Sequence, residues 1–173
     1  MELIGAGRAK AHSMAGALLA VATMTAAACA PARSPVDRAT EMERATCGPD
    51  VPEASITPVF ERGAIESVEP LFDTVADAEL GREKEVVGAI VHVRALKGVT
   101  PEWLDRALEC HNARRTLGSV PEVRDDPFWI PDGTVEIDVT SAHDGFRVTA
   151  RAHDASGAQQ ILTRAHGLAG GAK

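Results

Sequence analysis

The longest regular alternation of apolar and polar residues spans 86–95, where Val87, Ala89, Val91, Val93 and Ala95 fall on one side and His92 and Arg94 on the other. A period of two predicts a strand with one face in the core. The period then changes. Thr100-Pro101-Glu102 combines an oxygen-bearing cap, a proline at the first helical position and an acid in the first turn, so a helix starts there. Trp103, Leu104, Ala107, Leu108, Cys110 and His111 share one helical stripe, with Asp105, Arg106, Glu109 and Asn112 mostly outside it. Arg114 and Arg115 suit the negative end of this helix, and Gly118 can close it.

Residues 134–140 and 146–152 predict a hairpin around Asp144-Gly145. Counting from that turn places His143 opposite Phe146, Thr140 opposite Thr149, Asp138 opposite Arg151 and Glu136 opposite His153, with Val139 opposite Ala150 and Ile137 opposite Ala152 on the other face. Ser156-Gly157-Ala158-Gln159 reads as a capping box before a helix carrying Ile161, Leu162 and Ala165. A weaker strand falls within 64–72, and Pro70 assigns it to a sheet edge. The expected class is α+β, a small, mostly antiparallel sheet with two helices on one face in the order (β)βαββα. That order resembles part of the ferredoxin-like split βαβ arrangement, with the N-terminal strand standing beside 86–95 in place of the arrangement's last strand.

Residues 59–169 are thus expected to form a single α/β domain, with 170–173 a flexible tail. The segment 29–58 mixes Pro31, Pro35, Pro52 and Pro58 with charged residues and lacks a sustained apolar period, which reads as a tether. Between the first helix and the hairpin, Pro121, Pro127 and Pro131 surround Phe128 and Trp129, a connection expected to lie over the edge of the core. Only 3% of residues are aromatic and none is Tyr, so the core must come from Val, Ile, Leu and Ala, and stacking platforms for bases are scarce. The formal charge is −7, and residues 1–28 contribute +1 (Arg8 and Lys10 against Glu2), which leaves −8 for the remainder. An acidic domain without a basic run excludes nucleic acid as an expected partner.

The first 28 residues have the layout of a signal peptide. Arg8, Lys10 and His12 precede an apolar run from Met14 that is too short for a spanning helix and ends in small residues before Cys29. Thr25-Ala26-Ala27-Ala28-Cys29-Ala30 resembles the lipobox of bacterial lipoproteins. The resemblance implies lipidation of Cys29, a membrane contact through the N-terminal lipid, and, with Ala30 after the cysteine, an outer-membrane lipoprotein facing the periplasm. Ordinary cleavage to a soluble periplasmic or secreted protein is the alternative. Of three cysteines, lipidation of Cys29 leaves Cys47 and Cys110 to form a disulfide or to remain as two thiols.

His92, Cys110, His111, His153 and Glu136 are the candidate metal ligands, for copper or zinc by residue type. No Cys-x-x-Cys or His-x-x-x-His spacing occurs, and the adjacent Cys110 and His111 diverge by about 100° on a helix. Strand parity instead puts His92, His153 and Glu136 on the open face of the sheet as a candidate surface set. Ser141-Ala142-His143-Asp144 reads as a turn, because adjacency prevents the geometry of a catalytic triad. Residues 88–95, with Thr100, Glu102-Trp103-Leu104 and Cys110-His111-x-Ala113-Arg114, are similar to a pattern in uncharacterised exported proteins of Gram-negative bacteria, which implies an envelope address and no activity. The expectation is a lipid-anchored envelope protein with an accessory or binding domain and an envelope protein partner, not an enzyme and without a cofactor. A periplasmic metal-binding or metal-resistance protein is the alternative.

Overall fold

Three helices pack against a four-stranded antiparallel sheet in the computed structural model, which describes residues 33–49, 51, 53–61, 63–77, 81–131 and 133–169, with backbone alone at 74–77 and 81–83. The signal segment, Cys29 and the tail 170–173 lie outside the described residues. Chain order is α1 (Pro35–Thr46), β1 (Ile65–Asp77), β2 (Gly81–Arg94), α2 (Pro101–Thr116), β3 (Val135–Ala142), β4 (Gly145–Ala152) and α3 (Ala155–Ala169), with short 3-10 turns at Glu53–Ser55 and Thr57–Phe60. Across the sheet the order is β1-β2-β4-β3. β2 and β3 are each antiparallel to β4, which is inserted between them, and β1 takes the edge beside β2. This is the split βαβ arrangement expected from the element order.

Helix α1 occupies part of the segment in which the sequence suggests only a tether. Its apolar content is indeed minimal, since Ala39 is its one buried residue. Local chemistry starts it instead. The Ser34 hydroxyl accepts from the Asp37 backbone N–H at 3.1 Å, Asp37 reaches back to the Ser34 N–H at 3.3 Å, and Pro35 is preset for the first turn. Helix α2 begins as expected, with Thr100 accepting from the Trp103 N–H, and Gly118 ends it at φ 69°. The cap of α3, however, is Asp154, whose Oδ1 accepts from the Gly157 N–H at 2.8 Å. Ser156 falls in the first turn because Asp154, two residues upstream, caps the helix and starts it earlier.

The hairpin also differs from its expected register. Its loop is His143-Asp144, and Gly145 pairs with Ala142 as the first residue of β4. Glu136 therefore faces Arg151 and not His153, Asp138 faces Thr149 and not Arg151, and Thr140 faces Arg147 and not Thr149. Val139 meets Val148 and Ile137 meets Ala150. Packing against β2 accounts for this, since a Cβ at Gly145 would overlap the Val93 carbonyl oxygen. The glycine serves a close backbone approach, and among the described residues the left-handed glycines are Gly63, Gly98 and Gly118. Because the displacement is two residues, each side chain keeps its predicted face.

Ala89, Val91, Val93, Val139, Val148 and Ala150 form the sheet side of the core, closed by Leu104 and Leu108 of α2, Ile161 of α3 and Phe128 of the connection. Asn112 is buried as well. Its side-chain amide donates to the Val135 carbonyl at 3.1 Å, and Asp105, two turns earlier on the same face, takes the Val139 N–H, so α2 covers outward groups of the β3 edge. On the opposite face Gly88 lies so close to β4 that a Cβ would overlap the Ala150 carbonyl oxygen. Arg151, its cross-strand neighbour, reaches past it to Asp73 on β1 at 2.8 Å. Gly88→Ala should force the two strands apart and cost about 1–3 kcal/mol, the range for overpacked sites. A urea midpoint equal to that of the parent chain would contradict this packing.

Candidate functional site

The densest polar chemistry sits at the C-terminal half of α2, where two neighbouring residues fasten the N-terminal segment to the domain. Cys110, 1% exposed, is bonded to Cys47, with Cα atoms 5.1 Å apart across 63 residues of chain. The next residue, His111, has a wholly buried side chain between two carboxylates. Its Nδ1 faces Glu53 Oε1 at 2.5 Å and its Nε2 faces Asp126 Oδ2 at 2.9 Å. Each carboxylate accepts, so both ring nitrogens must donate and the ring is held as an imidazolium. Burial alone would lower the pKa of His111, but hydrogen bonds and charge from Asp126 and then Glu53 outweigh it and raise the value above 6.5. Phe60 packs its ring 5.1 Å from the imidazole and 6.0 Å from Phe128, closing the site with apolar surface.

A second layer consists of arginines. Arg114 stands 3.8 Å from Glu53 and donates to the Val51 carbonyl, while Arg164 of α3 donates to the Trp129 carbonyl at 2.6 Å and to that of Asp126 at 3.3 Å. Arg115 lies over the Trp129 ring with 4.4 Å between its guanidinium carbon and the ring centroid. Asp126 anchors the connection itself, since its Oδ1 accepts from the Phe128 N–H two residues on. The left-handed Asp125, at φ 58°, turns the chain immediately before it. Phe128 is fully buried, so the connection does lie on the core as its prolines and aromatics suggest.

Chemically this arrangement is a clamp. An imidazolium without solvent contact, with both nitrogens occupied, has neither the free lone pair of a general base nor access to a substrate. Neither member of the Cys110-His111 pair can serve as a ready metal ligand either, because the sulfur is in a disulfide and the ring is fully engaged. His92 lies on the other sheet face and meets Glu69 at 3.6 Å, while His153 meets Glu136 at 3.4 Å. His92 is opposite Arg147 on β4, whereas His153 follows the end of that strand, six residues beyond Arg147 or about 20 Å at strand rise. The surface set of His92, His153 and Glu136 is therefore not assembled, and among the described residues no group of three or more His, Cys, Asp or Glu is placed to hold a metal ion. Parity correctly gives a side chain's face but not its distance along the strand.

The open face carries a lattice of ion pairs, Arg94 with Glu66 at 3.2 Å and Arg151 with Asp73 at 2.8 Å among them. On the flank of α2, burial raises the pKa of Asp105, with Asp138 adding to it, and burial then Asp105 raise that of Glu109. Sequence patterns do not mark Glu53, Asp126, Arg115 or Trp129 as site residues. The one signal they offer is His111 itself, a histidine on the buried stripe of a helix, which needs polar partners from somewhere. Among the described residues no helix is long and apolar enough to cross a membrane. Comparison with protein-family models, with curated proteins and with solved structures finds no match to this chain.

Proposed function

We propose that the chain is a lipid-anchored protein of the bacterial envelope whose α+β domain is an accessory or binding module for an envelope partner. The observation that carries this reading is the Cys47–Cys110 disulfide. Such bonds persist in oxidising compartments, and this one uses two of the three cysteines, which leaves Cys29 in its lipobox-like setting for acylation. Helix α1 starts at Pro35, five residues beyond Ala30. That short lead can span about 20 Å at most, so the folded domain would stand close to the lipid surface and meet partners there. The sheet face opposite the helices, with its paired charges, is the surface this reading offers to such a partner.

Metabolic labelling with an alkyne fatty acid in a Gram-negative host tests the anchor. The full chain should take up the label and partition into detergent, whereas Cys29→Ser should do neither while retaining the internal disulfide. An unlabelled wild-type chain that partitions into the aqueous phase would refute lipid anchoring in favour of a soluble exported protein.

A further inference from the structure

The segment before β1 divides sharply at Cys47. Beyond it, Val51, Ile56 and Val59 are buried, Glu53 is clamped on His111 and the Val51 carbonyl accepts from Arg114, so this part belongs to the core. Before it, α1 packs along α2 with Ala39 as its one buried residue. The side-chain hydrogen bonds of α1 are local, from Thr40 to the Val36 carbonyl and from Thr46 to that of Met42. Burial of a single alanine falls short of the entropy lost in ordering a 12-residue helix, and a helix of that length is marginal alone. Cys47 follows α1 directly, so its bond to Cys110 is the tie that keeps the helix on the domain.

We propose that the Cys47–Cys110 bond is a redox latch: its reduction frees residues 33–47 while the sheet, α2 and α3 stay folded, and its reoxidation fastens the segment again. The co-reactant is a dithiol reductant. One of its thiolates attacks the sulfur of Cys47, the partly buried partner, and the S–S bond breaks toward the buried Cys110, which leaves as a thiolate and takes a proton. The second thiol of the reductant then attacks the mixed disulfide, closing its own S–S bond and freeing Cys47 as a thiol. Two electrons and two protons pass to the protein. The consequence in the envelope rests on the lipid anchor proposed above. Latched, the domain hangs from Cys29 by the short lead before α1; unlatched, residues 30–47 can span about 60 Å at most, roughly three times as far. Reduction thereby sets the distance from the membrane at which the domain can meet a partner.

The test uses the full acylated chain on vesicles of phosphatidylethanolamine and phosphatidylglycerol that carry a dansyl-headgroup lipid, with and without dithiothreitol. Hydrogen exchange reads the latch. On reduction the amides of α1 should exchange at least about tenfold faster, and those of β2 and β4 should remain protected over the time in which α1 exchanges fully. Reoxidation should restore the protection of α1. The double variant Cys47→Ala, Cys110→Ala should show the reduced pattern without dithiothreitol and be indifferent to it. The latch is overturned if α1 exchanges equally in both states, if α1 and the sheet lose protection together, or if the double variant still responds to dithiothreitol. Energy transfer from Trp103 and Trp129 to the dansyl lipid reads the reach in the same sample and should fall on reduction. Transfer that stays constant while α1 is released overturns the change of reach. Transfer absent in both states refutes the anchor alone, because exchange reports the latch whether or not the chain is on the membrane.

Discussion

Replacing Cys47 and Cys110 together by alanine should lower the unfolding free energy by about 4 kcal/mol, the chain-entropy value for a closed loop of this length. The bond joins residues 63 apart, so its loss releases a large part of the unfolded chain. Alanine is the appropriate replacement at Cys110, which is buried and apolar in its surroundings. Urea titration of the double variant should show a lower midpoint, and a reducing agent should bring the parent to nearly the same value. The loss should also be uneven. Helix α1 buries only Ala39, so with the bond gone its amides should exchange with solvent ahead of those of the sheet. Equal midpoints with and without reductant would show that the bond does not bear on stability.

Asp126→Asn should cost about 3 kcal/mol, because it leaves the buried imidazolium with one carboxylate in place of two while preserving the side-chain shape. Glu53→Gln should cost less, about 1 kcal/mol, since Glu53 is partly solvated. The same site gives the protein a pH dependence whose sign is fixed. The folded-state pKa of His111 is raised above its ordinary 6.5. Its contribution is therefore fully present below about pH 6.5 and is lost as pH rises through the folded-state value, at about 1.4 kcal/mol for each pH unit that separates the folded value from the unfolded one. The chain has no tyrosine, so no phenol obscures the alkaline side. Urea midpoints taken from pH 6 to 9 should fall for the parent and be flatter for His111→Gln. A parent midpoint that rises over this interval would contradict a charged, clamped histidine.

Features governed by neighbouring residues are legible in the sequence. Thr100-Pro101-Glu102 starts α2 as expected, and the alternation through Val93 gives both the strand and its buried face. Pro70 does lie on an edge strand, opposite Ala89. Features set by competition are not. Asp144-Gly145 is a strong turn signal, yet the close contact of Gly145 with β2 moves the loop back by one residue. Helix α1 has too little apolar surface for periodicity to reveal, although Ser34-Pro35-Val36-Asp37 carries its cap. The clamp is half legible: His111 lies on a buried stripe, but Glu53 is 58 residues before it and Asp126 is 15 after it, and no spacing rule joins them.

The placement of the disulfide has a mechanical consequence. Tension drawn between the two ends of the chain passes along α1 to Cys47 and crosses the covalent bond to Cys110. It then continues through the second half of α2 toward β3, β4 and α3. Both β1 and β2 lie inside the closed loop and so outside the path of the load. A pull on the N-terminal end would bear first on α2 and the β3 edge that its Asn112 holds, while the long β1–β2 ribbon is shielded from it. In single-molecule extension the contour released before the bond is reduced should be shorter by the 63-residue span, and the ribbon should rupture only after reduction.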